Sequence, residues 1–303
     1  MPGSAPPDYV VVGHIAKDVR PAYPTSRRSE IGPQVGPELD VGPGGYTLGG
    51  TVTYAGLTAR RLGLTVGILT SAGPDLDVAS ALPGIEAVVV PAPATTTFEN
   101  LYDAGHRRQY LRAVAAPILP EHVPAAWRDA PIVHFGPLAQ EFGPEILDAF
   151  PGSRLRGLTP QGWLRRWDAD GLVRRVEPPF LAGALARLDA VILSEEDVGG
   201  DWHTLQRYAA ATQILVVTQG ARGATLCKRG SCAAYPAFPA VEVDPTGAGD
   251  VFAAAFLIRL SQTGDPGEAT IFANCAASFA VEGPGTSTLP SLGQVLARLA
   301  TRK

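Results

Sequence analysis

Residues 243–252, Val-Asp-Pro-Thr-Gly-Ala-Gly-Asp-Val-Phe, set a carboxylate directly after three small residues and just before a long apolar run. Small residues at Gly247, Ala248 and Gly249 let the backbone turn tightly and let a ligand come close to its amides. Those amides would open the helix that follows, where N–H groups without intrahelical partners and the helix dipole favour an anion such as phosphate. Asp250 would then stand at the mouth of an anion site. An acid in that position repels phosphate unless it takes the proton of an attacking hydroxyl. The same letters also describe an ordinary glycine-rich turn with Asp at a helix start.

The pattern is longer than Gly-x-Gly-Asp. Asp244-Pro245-Thr246-Gly247-Ala248-Gly249-Asp250, followed by Phe252 and small residues, resembles the C-terminal signature of the ribokinase-like (PfkB-type) sugar kinases. That resemblance implies that Asp250 is the catalytic base. It also implies that the amides of Gly247, Ala248 and Gly249 form an anion hole for the transferred phosphate.

Earlier motifs fall in the order the family requires. Gly13-His14-Ile15-Ala16-Lys17-Asp18 follows a first apolar run, so Asp18 would lie at that strand's carboxyl end, where open α/β sheets bind ligands. A carboxylate there can accept hydrogen bonds from neighbouring hydroxyls, and the family places its sugar-binding Asp at this point. Gly49-Gly50-Thr51 corresponds to the family's Gly-Gly pair beside the sugar. The chain departs just after it, with Thr53-Tyr54-Ala55 where an Asn is usual, which suggests a different or differently placed polyol.

On the nucleotide side, Thr218-Gln219-Gly220-Ala221-Arg222-Gly223 resembles the family's Thr-x-Gly-x-x-Gly stretch. The resemblance assigns Thr218, Gly220, Gly223 and Asn274 to the nucleotide. Ser194-Glu195-Glu196-Asp197 stands where the family carries Asn-x-x-Glu, so Ser194 would face the donor phosphates and Asp197 would serve a metal through water. Alternatively the cluster caps a helix. The tail 283–287 lies where relatives hold a monovalent cation near Asp244. Expected cofactors are therefore ATP and Mg²⁺, with potassium as a further candidate. Gln161 and Arg165, on an unusual strand exit, are candidates to face the cleft.

Short apolar runs alternate with helical patterns, which argues for a doubly wound, mostly parallel α/β sheet flanked by helices. Strands are expected at 9–12, 66–70, 87–90, 132–135, 190–193 and 214–218. Helices are expected at 51–62, after Asp250, at 266–281 and at 292–300. No repeat or linker divides the chain, so residues 1–303 are expected to form a single ribokinase-like domain. Two segments break the alternation. Residues 20–48 are rich in Pro and Gly, and 95–114 reads as a hairpin around an Asp103-Ala104-Gly105 turn. The resemblance implies that these inserts build a small β lid, which excludes water and in relatives often forms a homodimer contact.

Composition removes other classes. Among 303 residues, 46% are hydrophobic and 18% charged, and the net charge of −4 with no basic block argues against nucleic acid. No apolar run is long enough to span a membrane, and the first residues lack a secretion pattern. Three cysteines without a metal-binding spacing read as reduced, buried thiols of a cytoplasmic protein. The chain has neither a G-x-x-x-x-G-K-[ST] loop nor a protein-kinase catalytic loop, and no G-x-G-x-x-G follows the first strand. The expected activity is transfer of the γ-phosphoryl group of ATP to a hydroxyl of a sugar, cyclitol or nucleoside. The alternative is a catalytically weak homologue that senses a polyol or nucleotide.

Overall fold

The computed structural model describes residues 5–19, 45–103 and 106–301. Most of the insert at 20–48 lies outside the described residues.

The first strand, β1 (Tyr9–Val12), is wholly buried, and its side chains alternate between two cores. Tyr9 and Val11 join one hydrophobic cluster, Val10 and Val12 the other. A strand covered on both faces needs apolar residues at every position, which is why it reads as a continuous run. The chain continues through β2 (Ala16–Val19), β3 (Tyr46–Gly49), α1 (Thr51–Arg61), β4 (Val66–Ala72), α2 (Val78–Ala81), β5 (Glu86–Pro91), β6 (Thr96–Asp103) and β7 (His106–Ala113). Then come β8 (Ile132–Phe135), β9 (Leu155–Leu158), β10 (Arg165–Trp167), β11 (Val173–Arg175), α3 (Leu181–Leu185), β12 (Ala190–Ser194) and α4 (Trp202–Ala211). The last elements are β13 (Ile214–Thr218), β14 (Ala224–Lys228), β15 (Ser231–Tyr235), α5 (Ala248–Thr263), α6 (Pro266–Ala280) and α7 (Leu292–Ala300).

Nine strands form the main sheet in the order β15-β14-β13-β12-β9-β8-β1-β4-β5. Pairing is parallel from β13 through to β5, and β14 and β15 add an antiparallel edge. Helices α1, α5 and α6 pack their apolar residues into the cluster containing Tyr9 and Val11, while α3 and α4 cover the opposite face. The α/β expectation and each expected strand and helix are present, with ends shifted by a few residues.

Four strands make a separate small sheet, β3-β2-β6-β7, and β10 and β11 pair as a hairpin. The expected hairpin at 95–114 is β6 and β7, with Thr97↔Ala113 and Asp103↔His106 as its outermost pairs.

The cysteine reading needs correction. Cys227 and Cys232 stand directly opposite each other on β14 and β15, with Cα atoms 4.1 Å apart, and are joined in a disulfide. The hairpin register creates the pair, which the separation of 5 residues along the chain does not announce. Cys275 lies outside the disulfide and is buried, as expected. Among the described residues no helix is long and apolar enough to cross a membrane.

Candidate active site

Segments leaving β1, β9 and β12 meet the starts of α1 and α5 at the carboxyl ends of the parallel strands, and the turn after β13 joins the segment after β12. This is the crevice where open α/β sheets place their ligands.

The turn before α5 is built around Gly247, the N-cap, at φ 77°. Tyr54 of α1, only 2% exposed, lies against it. A Cβ on Gly249, by contrast, would meet no described atom within 4 Å, so the amide turn faces open space on that side. Asp250 enters the first turn of α5 and accepts a hydrogen bond from the Thr51 side chain at the start of α1. Burial pushes its carboxyl up to about 6, while Thr51 and then the Arg165 guanidinium pull it down and Asp197 pushes it up. A carboxylate poised near neutrality is suited to accept a proton and release it again.

Asp18 lies on β2, opposite Thr47 of β3 and Phe98 of β6. Asn100, 9% exposed, donates from Nδ2 to Asp18 Oδ1 at 3.0 Å, and Gln109 Nε2 donates to Asn100 Oδ1 at 3.0 Å. The other carboxylate oxygen overhangs Gly49, where a Cβ would come within 2.2 Å of Oδ2. Gly50 is the N-cap of α1. Asp18 and Asp250 both act on the buried Tyr54 phenol, which burial first and then Asp244, Asp18 and Asp250 hold well above the usual tyrosine range. Tyr54 is therefore a neutral wall of the cleft.

Ser194 and Asp197 face each other across one short helical turn. Asp197 Oδ2 accepts from the Ser194 amide at 2.9 Å, Ser194 Oγ accepts from the Glu196 amide at 3.2 Å, and Gln161 Nε2 donates to Asp197 Oδ1 at 3.2 Å. The capping alternative thus describes what these side chains do. Among the described residues no group of three or more His, Cys, Asp or Glu side chains could hold a metal. Asp197 retains acceptor capacity on both oxygens and fits a cation held through water rather than directly.

The turn after β13 carries Gly220 and Gly223, both at positive φ. Thr218 Oγ1 donates to the Leu193 carbonyl at 3.5 Å. Glu195 fixes the turn, accepting from Gln219 Nε2 at 3.1 Å and pairing with Arg222. Asn274 on α6 gives its amide to the carbonyls of Tyr235 and Pro236, at 3.1 and 3.4 Å, and so ties the end of β15 to the helix. Asp244 accepts from the amides of Thr246 and Gly285, which brings the 283–287 tail beside it.

The cleft therefore gathers Asp250, Gly247, Ala248, Gly249, Thr51, Asp197, Gln161 and Arg165 around the start of α5, with Asp18 and Asn100 on the small sheet. Sequence reasoning missed Asn100 and Gln109. The signal available for them was an inward-facing amide on β6, paired with Gln109 on β7.

The family model for pfkB family carbohydrate kinases matches residues 189–292. Inositol 3-kinase of Oryza sativa subsp. japonica is 30% identical over 281 residues, spanning 85% of this chain and 70% of that one. The chain belongs to the PfkB family of carbohydrate kinases. Among other PfkB relatives, cytidine kinase of Thermococcus kodakarensis is 29% identical over 266 residues, 84% of this chain and 89% of that enzyme. The fold is ribokinase-like. A pyrophosphate-dependent kinase of the ribokinase family, complexed with a pyrophosphate analogue and myo-inositol, superposes with a TM-score of 0.74 at 22% identity, covering 95% of this chain and 99% of that one. Methanocaldococcus jannaschii nucleoside kinase superposes with a TM-score of 0.72 at 18% identity, covering 99% and 100%.

Proposed function

We propose that this PfkB kinase transfers a terminal phosphoryl group to one hydroxyl of a small polyhydroxy acceptor, a cyclitol, sugar or nucleoside, with Asp250 as the base. The observation that carries this reading is Asp250 in the first turn of α5, bonded to Thr51 and adjoining the open Gly247–Ala248–Gly249 turn.

Asp18, oriented by Asn100, accepts hydrogen bonds from the acceptor and sets which hydroxyl points at Asp250. As the acceptor oxygen attacks phosphorus, its proton passes to Asp250 and the bond from phosphorus to the donor's bridging oxygen breaks. The amides of residues 247–249 stabilise charge on the phosphoryl oxygens as it develops. The small sheet serves as a lid that keeps water from competing with the acceptor.

ATP is the proposed donor, seated on Thr218, Gly220 and Gly223 with Ser194 and Asn274 nearby. Mg²⁺, held through water at Asp197, would supply positive charge to the donor phosphates. Pyrophosphate is the second reading. It is favoured by the likeness to the pyrophosphate-dependent kinase and by an Asn274 amide already engaged with Tyr235 and Pro236.

The test is a coupled assay with MgATP or Mg-pyrophosphate against myo-inositol, ribose, fructose, cytidine and adenosine. Acceptor-dependent release of ADP or phosphate that disappears in Asp250→Asn supports the reading. Turnover that survives in Asp250→Asn removes the base.

A further inference from the structure

Arg165 carries no catalytic assignment in the reading above, yet the fold delivers it to the same place. It opens β10 and acts on the Asp250 carboxylate, and its guanidinium lies 5.9 Å from the ring centroid of Phe98, the inward residue of β6 two before Asn100. Four residues earlier, Gln161 bonds Asp197. The segment 160–165 thus sets an amide on one cleft carboxylate and a guanidinium beside another.

This segment is held firmly. The Gly162 amide donates to the Pro137 carbonyl at 2.8 Å, the Trp163 indole, 1% exposed, donates to the Phe142 carbonyl at 2.8 Å, and Gln140 donates to the Arg165 carbonyl. Beyond it, the β10–β11 hairpin is stitched to the small sheet. The Leu111 amide donates to the Gly171 carbonyl at 2.8 Å, and Arg112 donates to the Asp170 carbonyl at 2.9 Å. Arg165 therefore sits at the root of the hairpin that joins the small sheet to the main body.

The charge balance of the cleft gives this position a purpose. Asp18, Asp197 and Asp250 lie along it, and a phosphoryl group in transfer adds further negative charge. A guanidinium presents a planar fork of donors that matches phosphoryl oxygens, which a carboxylate partner alone does not require.

We propose that Arg165 is a further catalytic residue whose guanidinium contacts the phosphoryl group in transfer, beside the acceptor oxygen and Asp250. This rests on the kinase reading above.

The test uses the full chain, with Arg165→Met and Arg165→Lys, in steady-state kinetics with the donor and acceptor that the wild type uses. It is paired with calorimetric titration of inorganic pyrophosphate in the presence of Mg²⁺. Arg165→Met is expected to lower kcat about 100-fold, with acceptor KM within threefold, and free guanidinium should restore part of the rate. Arg165→Lys should fall between, and decides the matter if Arg165→Met fails to fold. Pyrophosphate affinity should weaken about tenfold, the loss of one charged contact. A kcat within threefold of wild type overturns the proposal, as does a change confined to the KM of one acceptor. If the wild type turns over none of the acceptors, pyrophosphate binding decides: weakening in Arg165→Met supports the contact, and unchanged binding overturns it. If the wild type neither turns over nor binds pyrophosphate, the kinase reading fails and this inference with it.

Discussion

The ring of Tyr54 lies directly against Gly247, so that a Cβ built on this glycine would come within 2.2 Å of Tyr54 Cδ1. Gly247 also holds φ at 77°, where a side chain is strained even without a neighbour. Contact and conformation act together to fix the turn whose amides form the proposed anion hole. Gly247→Ala should lower kcat about 100-fold, as losing an oxyanion donor does, and should lower the unfolding midpoint as well. Tyr54→Phe keeps the ring and should stay within a few-fold of wild type. Tyr54→Ala should cost about 3–5 kcal/mol in urea unfolding. Full kcat in a folded Gly247→Ala would remove the anion hole from this turn.

Asp250 makes two opposite demands on pH. Its carboxyl is pushed up to about 6, mainly by burial, and it must be ionised to accept a proton. Hence log kcat/KM should rise with unit slope below pH 6 and level off above 7, and a flat profile from pH 5 to 8 would exclude it as the base. Stability runs the other way. A carboxyl whose folded pKa exceeds the unfolded value, about 3.9, favours folding below that value, and the contribution is lost as pH rises through 6. Asp250→Asn cannot ionise, so it should be more stable than wild type at pH 8 by ~1–2 kcal/mol after allowing for partial exposure. The two should converge at pH 4. Urea unfolding at both pH values checks this.

The Gln109–Asn100–Asp18 chain predicts a different signature. Asn100 and Gln109 have no proposed contact with the phosphoryl group and act through Asp18. Asn100→Leu should therefore raise acceptor KM about tenfold, the loss of one hydrogen bond to a charged group, with kcat and donor KM changed less than threefold. Asp18→Asn should be more severe on the same parameter. An Asn100→Leu variant with a defect in donor KM alone would disconnect the small sheet from the acceptor.

Much of the fold was legible because burial on both sheet faces forces nearly unbroken apolar runs at β1, β12 and β13. The helix after Asp250 was legible because small residues and a carboxylate mark a ligand-bearing helix start. The β10–β11 hairpin was not, since Arg165-Arg166-Trp167 and Val173-Arg174-Arg175 show neither an apolar run nor a turn signal strong enough to join them. Asn100 was hidden because its partner, Asp18, is 82 residues away and only the parallel pairing of β2 with β6 brings them together. The contact of Tyr54 with Gly247 was not legible, because helix phase relative to that turn is a tertiary fact. Ser194 and Asp197 show the converse: their spacing suits a metal motif and a capping box equally, and only the structure shows that they form the cap.

Beneath the site, a buried pair predicts how the protein fails in acid. Tyr9 and His134 are both fully buried, with Tyr9 Oη 2.6 Å from His134 Nδ1, and His134 Nε2 lies 3.1 Å from Thr159 Oγ1. Burial lowers the imidazole to about 3, so it stays neutral in the folded state, while in the unfolded chain it titrates near 6.5. Its contribution to stability is fully present above pH 6.5 and is lost as pH falls toward 3, because only the unfolded chain takes up the proton. Replacing both partners by apolar residues, Tyr9→Phe with His134→Leu, should be nearly neutral at pH 7.5, since no partner of the pair is left unsatisfied in the core. At pH 5 the double variant should exceed wild type by ~2 kcal/mol, the value of 1.5 pH intervals of one proton. Single Tyr9→Phe keeps the histidine and should retain the acid sensitivity. Equal pH slopes for wild type and the double variant between 5 and 7 would show that His134 is not the group whose protonation unfolds the protein.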